Sequence, residues 1–457
     1  MNRNALTLTT VLLALVTVPL TITGAAVALP GLQDDLGVGL AAAQWVVNGY
    51  NACFAGFLTF GGSLADLLGR RRMFAAGVAL FCAGSLTCAL AGDITLLTAA
   101  RALAGVGAAA TTAAGSSILA ATFDGPARAR AFGLLGTVLG AGLAFGPTVS
   151  GALVTAVDWR AVFAVPATLS GLVLLLCPLL PRLAGVKGRR IDWAGGTLFT
   201  AALMLLIFVL VEAPSLGFAD PAVLGGLAVA LGLGAAFVVV ERRTADPMFD
   251  LGLVTNRPFA AFSLAAGVLM VVMVPLLVYL PSYLIAVVGL EAGEAGSWLL
   301  MLTVPSIVLP PAGAAIARRS RAALVGGAVV LSGAGAALLV TVGADSTPWQ
   351  LAGPLLLIGA GVGLTTGVVD GLAVSSVRTE QAGTAAGLFN TARLATETVA
   401  LAVVGTALAV LSGGRLEGAG FTAALHTVGA ALGAPAAVAA VIVLLLLRGG
   451  AQRARQR

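Results

Sequence analysis

Apolar residues run through this chain in fourteen long blocks, at 6–30, 43–64, 73–92, 95–121, 131–156, 161–181, 193–213, 221–240, 258–281, 293–317, 323–343, 350–375, 383–412 and 422–447. Each is long enough to cross a bilayer, which takes about 20 largely apolar residues. In hydrocarbon every backbone N–H and C=O must find an internal partner, so such blocks are helices. The two-residue alternation of a membrane barrel strand is missing. The first block is too long for a signal-peptide core and is followed by many others, so it is read as a membrane helix.

The polar gaps alternate in charge. Of 25 Lys and Arg, 21 fall in every second gap or at the termini: Arg3; Arg70–Arg72; Arg128 and Arg130; Arg182, Lys187, Arg189 and Arg190; Arg242, Arg243 and Arg257; Arg318, Arg319 and Arg321; Arg378; and Arg448, Arg453, Arg455 and Arg457. Arg160 and Arg415 lie in the other set of gaps, beside acids such as Asp34, Asp35, Asp93, Asp220 and Asp345; Arg101 and Arg393 lie inside apolar blocks. Short cytoplasmic loops retain Lys and Arg. The even count and this sorting predict both termini in the cytoplasm.

Composition narrows the class. The chain of 457 residues is 59% hydrophobic and 10% charged, with a mean hydropathy of +1.05. A soluble domain carries roughly 25% charged residues. The pI near 9.8 does not indicate nucleic acid, because the cations are spread over loops and not gathered on one face. A single Lys among 25 basic residues suggests a GC-rich bacterial genome, hence a bacterial inner membrane. No gap holds a soluble domain, and no phosphate-binding GxxxxGK[ST] occurs. Cys53, Cys82, Cys88 and Cys177 lack metal or redox spacing and read as small buried hydrophobes. No metal, cofactor or enzymatic constellation is expected.

Three strings stand out. The gap after span 2 reads Gly62-Ser-Leu-Ala-Asp66-Leu-Leu-Gly69-Arg70-Arg71-Arg72, a tight turn placing an acid beside three cations. Span 4 carries Leu97, Arg101, Gly105 and Gly107. An Arg at a helix centre costs roughly 2.5–3.5 kcal/mol on insertion scales, so Arg101 either snorkels outward or faces an interior site. Span 5 carries Gly133, Gly142, Gly146-Pro147 and Ser150-Gly151. Its glycines allow close helix contact and its proline removes a ladder bond.

These strings resemble the major facilitator superfamily, and within it the fourteen-helix branch of drug/proton antiporters that includes tetracycline and multidrug efflux proteins. The 62–72 string is similar to that family's cytoplasmic loop motif, the span 4 residues to its helix-4 motif, and the span 5 string to the helix-5 motif associated with antiporters. Ala28-Leu29-Pro30, Gln44-Trp45 and Trp159-Arg160 resemble the branch as well. The chain departs at Ala104, where Gln is usual, at Ser150 in place of Gly, and at Thr21, where many relatives carry an acid. The resemblance implies an all-α polytopic membrane protein with the major facilitator fold: a six-helix bundle in 1–182, two inserted helices in 183–257 and a second bundle in 258–457. It implies a central cavity opened to each side in turn, with span 5 packed on span 10 near Pro305, Pro310 and Pro311. It places Asp66 near the N-terminal end of span 13.

With no acid in spans 1–6, coupling chemistry is expected in the second bundle, at Asp370 in span 12 and Glu397 in span 13. Arg393 lies one helical turn before Glu397, on the same face. Glu397 either titrates during transport or forms a static pair with Arg393; Asp370 either joins it or faces water. The proton-coupling set is therefore Glu397, Asp370, Arg393 and Arg101. The gating set is Gly62, Asp66, Gly69, Arg70, Arg71 and Arg72. Candidate cavity residues are Tyr50, Asn51, Asn390 and Thr21, with Tyr279 and Tyr283 further options. Glu212 and the lone His426 read as interfacial or packing residues.

The expected activity is proton-coupled export of lipophilic small molecules such as antibiotics from the cytoplasm or inner leaflet. The expected partners are the drug-like substrate, protons and the lipid bilayer, with no nucleic acid and a monomer as the working unit. A metabolite importer or facilitator on the same fold is the first alternative. A non-transporting membrane scaffold or sensor is the second, disfavoured by the charges held inside spans.

Overall fold

A computed structural model of the chain describes residues 3–181, 192–244, 247, 249–378 and 381–454; the side chains at 66, 125, 126, 129, 382, 383 and 448–454 are outside the described set. Among the described residues the regular structure is helical throughout. By contacts the chain divides into two compact units. The first holds 1–240, 244–248 and 291–296, and the second holds 241–243, 249–290 and 297–457.

The first unit contains α1 (Arg3–Leu36), α2 (Leu40–Leu68), α3 (Arg70–Leu90), α4 (Ile94–Thr122), α5 (Gly125–Ala156), α6 (Ala161–Leu176, extended by a 3-10 turn at Cys177–Leu179), α7 (Trp193–Leu216) and all but the last turn of α8 (Pro221–Arg243). The second contains α9 (Arg257–Ala286), the later pieces of α10, α11 (Arg321–Ala337), α12 (Pro348–Thr365, followed by Val368–Ser375), α13 (Ala382–Leu411) and α14 (Gly418–Ala454). The α10 segment is broken into Ala292–Trp298, Leu300–Thr303, Pro305–Val308 and Pro310–Arg319. Its two main arms differ in direction by 48°, as expected where prolines at 305, 310 and 311 remove ladder donors.

Twelve of these helices are long and apolar enough to span a membrane, and the bent α10 makes a thirteenth. The fourteenth is α2. Its 29 residues reach about 43 Å at 1.5 Å each. Its hydropathy is diluted by Gln44, Asn48 and Asn51, which are 2%, 0% and 4% exposed. The polar groups are turned inward, so lipid does not meet them.

Small residues set the packing of the first unit. A Cβ on Gly105 would strike the Tyr50 carbonyl, and one on Gly107 would strike the Phe81 backbone nitrogen. Only glycine permits α4 to approach α2 and α3 so closely. Helix α7 rests on α2. Thr200 Oγ1 donates to the Gly56 carbonyl at 2.7 Å, and Trp193 stacks obliquely on Phe60 with ring centres 5.8 Å apart. Outside it, α8 contacts α7 through Val209, Ala213 and Val223. Only 11% of the apolar stretch of α8 is buried, against 78% for α1, so α8 is a lipid-facing helix and α1 an interior one.

The two cations in the wrong gaps are neutralised locally. Arg160 Nη1 lies 2.9 Å from Asp35 Oδ2, which also accepts from Trp159 Nε1 at 3.1 Å. Arg415 Nε lies 3.4 Å from Glu417 Oε1.

Candidate functional site

The α2–α3 turn needs glycine: Gly69 sits at φ 96°, a backbone region that L side chains avoid. It allows α3 to begin at once with Arg70, Arg71 and Arg72. Arg71 Nη1 donates to the Leu180 carbonyl at 3.2 Å, tying this turn to the end of α6. Arg70 and Gly62 are half-buried, and Arg72 is exposed. The Asp66 side chain lies outside the described set.

Arg101 does not snorkel. It is fully buried. Its Nε donates to the Val46 carbonyl at 2.6 Å, and its guanidinium lies over the Tyr50 ring at 4.1 Å and 5.6 Å from the centre of the Phe163 ring. Neither Nη atom has a partner among the described residues, nor do the amide of Asn48 and the hydroxyl of Tyr50. The first unit therefore holds a cation at substantial desolvation cost with no carboxylate paired to it among the described residues. Tyr50 and Thr21 are 0% and 1% exposed, and Asn51 is 4% exposed.

Along α5 the glycines mark successive neighbours. A side chain on Gly142 would meet Pro19, and one on Gly146 would meet Thr23. One on Gly151 would meet the Ala292 carbonyl, whereas Gly133 faces open space. Ser150, the departure from the family pattern, packs beside Gly24 together with Val162, filling the space that a side chain at Gly24 would need. The far half of α5 grips the first turn of α10. Thr148 Oγ1 donates to the Gly296 carbonyl at 2.8 Å, and Thr155 Oγ1 accepts from the Gly293 N–H at 3.1 Å. The expected α5–α10 contact thus forms at 292–296, ahead of the α10 prolines.

In the second unit, α12 breaks at Gly367, in the left-handed region at φ 71°. The break lets the short continuation turn Asp370 toward α13. Arg393 Nη1 donates to Asp370 Oδ1 at 3.3 Å, and Arg393 Nη2 to Asn390 Oδ1 at 3.1 Å. The static Arg393–Glu397 pair does not form. Glu397 is half-buried, one turn along α13, with no hydrogen bond or ion pair among the described residues. The Arg393 and Asp370 side chains are 32% and 38% exposed, so the pair is only partly enclosed by the second unit.

Tyr279 is enclosed and donates to the Leu401 carbonyl at 3.4 Å. Tyr283, also enclosed, shares a 3.1 Å hydrogen bond with Thr422. Both tie α9 to its neighbours. His426 Nε2 meets the Val342 carbonyl at 2.6 Å. Among the described residues no three His, Cys, Asp or Glu side chains converge as metal ligands, and the four cysteines are free.

Two features escaped the sequence reading. Glu212 accepts from Trp45 Nε1 at 2.7 Å, fastening α7 to α2 across 167 residues of chain. The connector before α9 is hooked to the α12–α13 turn by Gln381 to Asp250 at 3.3 Å and by Asn256 to the Ser376 carbonyl at 3.0 Å. A lone Glu at a span end and an Asn before a helix carry no mark of a remote partner in sequence.

The chain is 32% identical to a multidrug resistance protein of Mycobacterium tuberculosis over 86% of its own length and 73% of the relative's. It is 33% identical to a puromycin resistance protein of Streptomyces alboniger, over 92% and 85% of the two chains. The same identity relates it to a probable actinorhodin transporter of Streptomyces coelicolor, over 83% and 68%. A crystal structure of a POT family transporter superposes with a TM-score of 0.71 at 17% identity, covering 97% of this chain and 98% of that one, which shows the shared fold. The family description Major Facilitator Superfamily matches residues 11–396. With its fourteen helices, its α4 and α5 strings and these kinships, the chain belongs to the Major Facilitator Superfamily.

Proposed function

We propose that the protein is a proton-coupled antiporter that exports lipophilic, antibiotic-like molecules from the cytoplasm or inner leaflet of a bacterial cell membrane. Both termini face the cytoplasm, as the sorting of 21 cations to one set of gaps favours. Relatives bearing multidrug and puromycin resistance names support the substrate class. The α5 string, similar to that of antiporters, favours exchange over import.

The observation carrying the coupling is the grouping on α13 and its neighbour: Arg393 held by Asp370 and Asn390, with Glu397 one turn away and unpartnered among the described residues. Glu397 feels the charge of Arg393 without a direct salt bridge to it, so it can take and release a proton without first breaking one. Ionisable groups inside a membrane span commonly mark proton paths. In this cycle, inward-facing protein takes drug while Glu397 is ionised. The two halves rock about the site. A proton from outside then neutralises Glu397, with Asp370 free to join, and drug leaves. Arg101 stays buried in the first unit as a fixed positive charge. Asp66 and Arg70–Arg72 set the balance between the two openings.

The test is drug-driven proton movement. Inside-out vesicles are acidified, and a panel of antibiotics and lipophilic dyes is added. Proton release that scales with drug supports the reading. Acid-independent uptake of a sugar or amino acid by intact cells, with no drug response, overturns it in favour of an importer.

A further inference from the structure

Four helix ends of the first unit meet around a pocket of about 730 Å³. It lies among the starts of α1 and α3 and the ends of α4 and α6. Its lining includes Arg3, Asn4, Arg71, Thr122, Leu180 and Pro181, with two guanidinium groups and, among the described residues, no carboxylate. The size is that of a small-ligand cleft.

Its electrostatics favour an anion. Two helix N-termini, each carrying partial positive charge, converge with two cations. The opposing carbonyl ends are capped: Arg71 Nη1 donates to Leu180, and Arg128 donates to the Ala120 and Phe123 carbonyls. Arg71 spends one donor on Leu180. That bond holds a planar fork suited to phosphate oxygens.

One wall is apolar, formed by Ala121, Pro178, Leu180 and Pro181. Leu179 lies in sequence between the lining residues Pro178 and Leu180, and with Leu172 and Leu175 of α6 it is 51%, 50% and 75% exposed in turn. At spacings of three and four they share one helix face. The pocket thus offers cationic donors at a span end and an apolar track leading away along the span.

We infer that this pocket binds a phosphate-bearing anion supplied by an anionic phospholipid, its head group between Arg3 and Arg71 and one acyl chain along Leu172, Leu175 and Leu179. Basic pockets between membrane helices suit such head groups. A free phosphate would use the cations but not the stripe.

The test uses purified full-length protein and native mass spectrometry, counting retained lipid after incubation with phosphatidylglycerol or phosphatidylcholine. Preferential retention of phosphatidylglycerol is expected, falling with added salt. Arg3→Gln with Arg71→Gln should weaken it by roughly 25-fold, about five-fold per cation, while Arg321→Gln at an exposed position in the other unit changes nothing. Leu175→Gln should also lower lipid retention without altering displacement by inorganic phosphate. Equal retention of both lipids by the native protein overturns the inference, and so does unchanged retention by the double variant. Displacement of phosphatidylglycerol by equimolar inorganic phosphate assigns the pocket to a free anion and overturns the lipid. The lipid-preference and phosphate arms use native protein, so they decide even where a variant fails to fold.

Discussion

Arg393 reaches across to Asp370 at 3.3 Å and leaves Glu397, on its own helix one turn away, without a salt-bridge partner among the described residues. Two residues four apart on a helix face are the obvious pair in sequence. The left-handed break at Gly367 brings a competing carboxylate to the same guanidinium. The consequence is a division between an acid that anchors a cation and an acid with no salt bridge of its own among the described residues.

Glu397→Gln should abolish uphill export while the protein still inserts and melts normally. The amide keeps the volume and polarity and cannot ionise. Everted vesicles loaded with a pH dye give the measurement; a full drug gradient formed by the variant would remove Glu397 from the cycle.

Arg393→Ala should alter stability little and transport greatly. The pair with Asp370 is about one-third exposed on both sides, and solvent-exposed pairs are worth about 0–1 kcal/mol. Thermal unfolding in detergent, compared with export rate, separates the two effects. A large fall in melting temperature would mark Arg393 as a structural strut.

Arg101→Met should keep most of the stability of the first unit. The substitution gives up the bond to the Val46 carbonyl and the stacking on Tyr50. It also removes a buried cation whose desolvation costs several kcal/mol. These terms offset one another to within about 1–2 kcal/mol. Coupled export should fall nonetheless. Arg101→Lys should not rescue it, because an ammonium lacks the flat face that stacks on Tyr50. Calorimetry together with vesicle transport checks both halves.

Gly151→Val should open a proton leak. Its side chain would collide with the Ala292 carbonyl and push the first turn of α10 off α5. Drug-free dissipation of an imposed pH gradient should then quicken several-fold over native vesicles, whereas Gly133→Ala, facing open space, should not change it.

Glu212→Leu should loosen α7 from α2 at a cost of about 1.5–3 kcal/mol, the usual worth of a hydrogen bond to a charged group. Trp45→Phe should lose a similar amount, since the indole N–H goes while the ring contact with Phe208, at 5.7 Å between centres, remains available. The double variant should cost little more than either single one, and additive losses in unfolding experiments would contradict the bond.

Sequence determined the membrane class, the many-helix architecture, the sorting of cations into alternate gaps and the kinship carried by the α2–α3, α4 and α5 strings. Those follow from local rules: about 20 apolar residues span a bilayer, cations collect in cytoplasmic loops, and glycine or proline at fixed spacing shapes a helix wherever it packs. Which charge meets which was decided by tertiary structure. Arg101 lies under Tyr50 with no acid paired to it among the described residues, Arg160 finds Asp35, Trp45 finds Glu212, and Arg393 chooses Asp370 over its helical neighbour. Each is a contact between helices far apart in the chain, and helix crossings follow from close backbone approach at residues such as Gly105 and Gly107. Apolar periodicity records that a helix is buried, not which partner buries it.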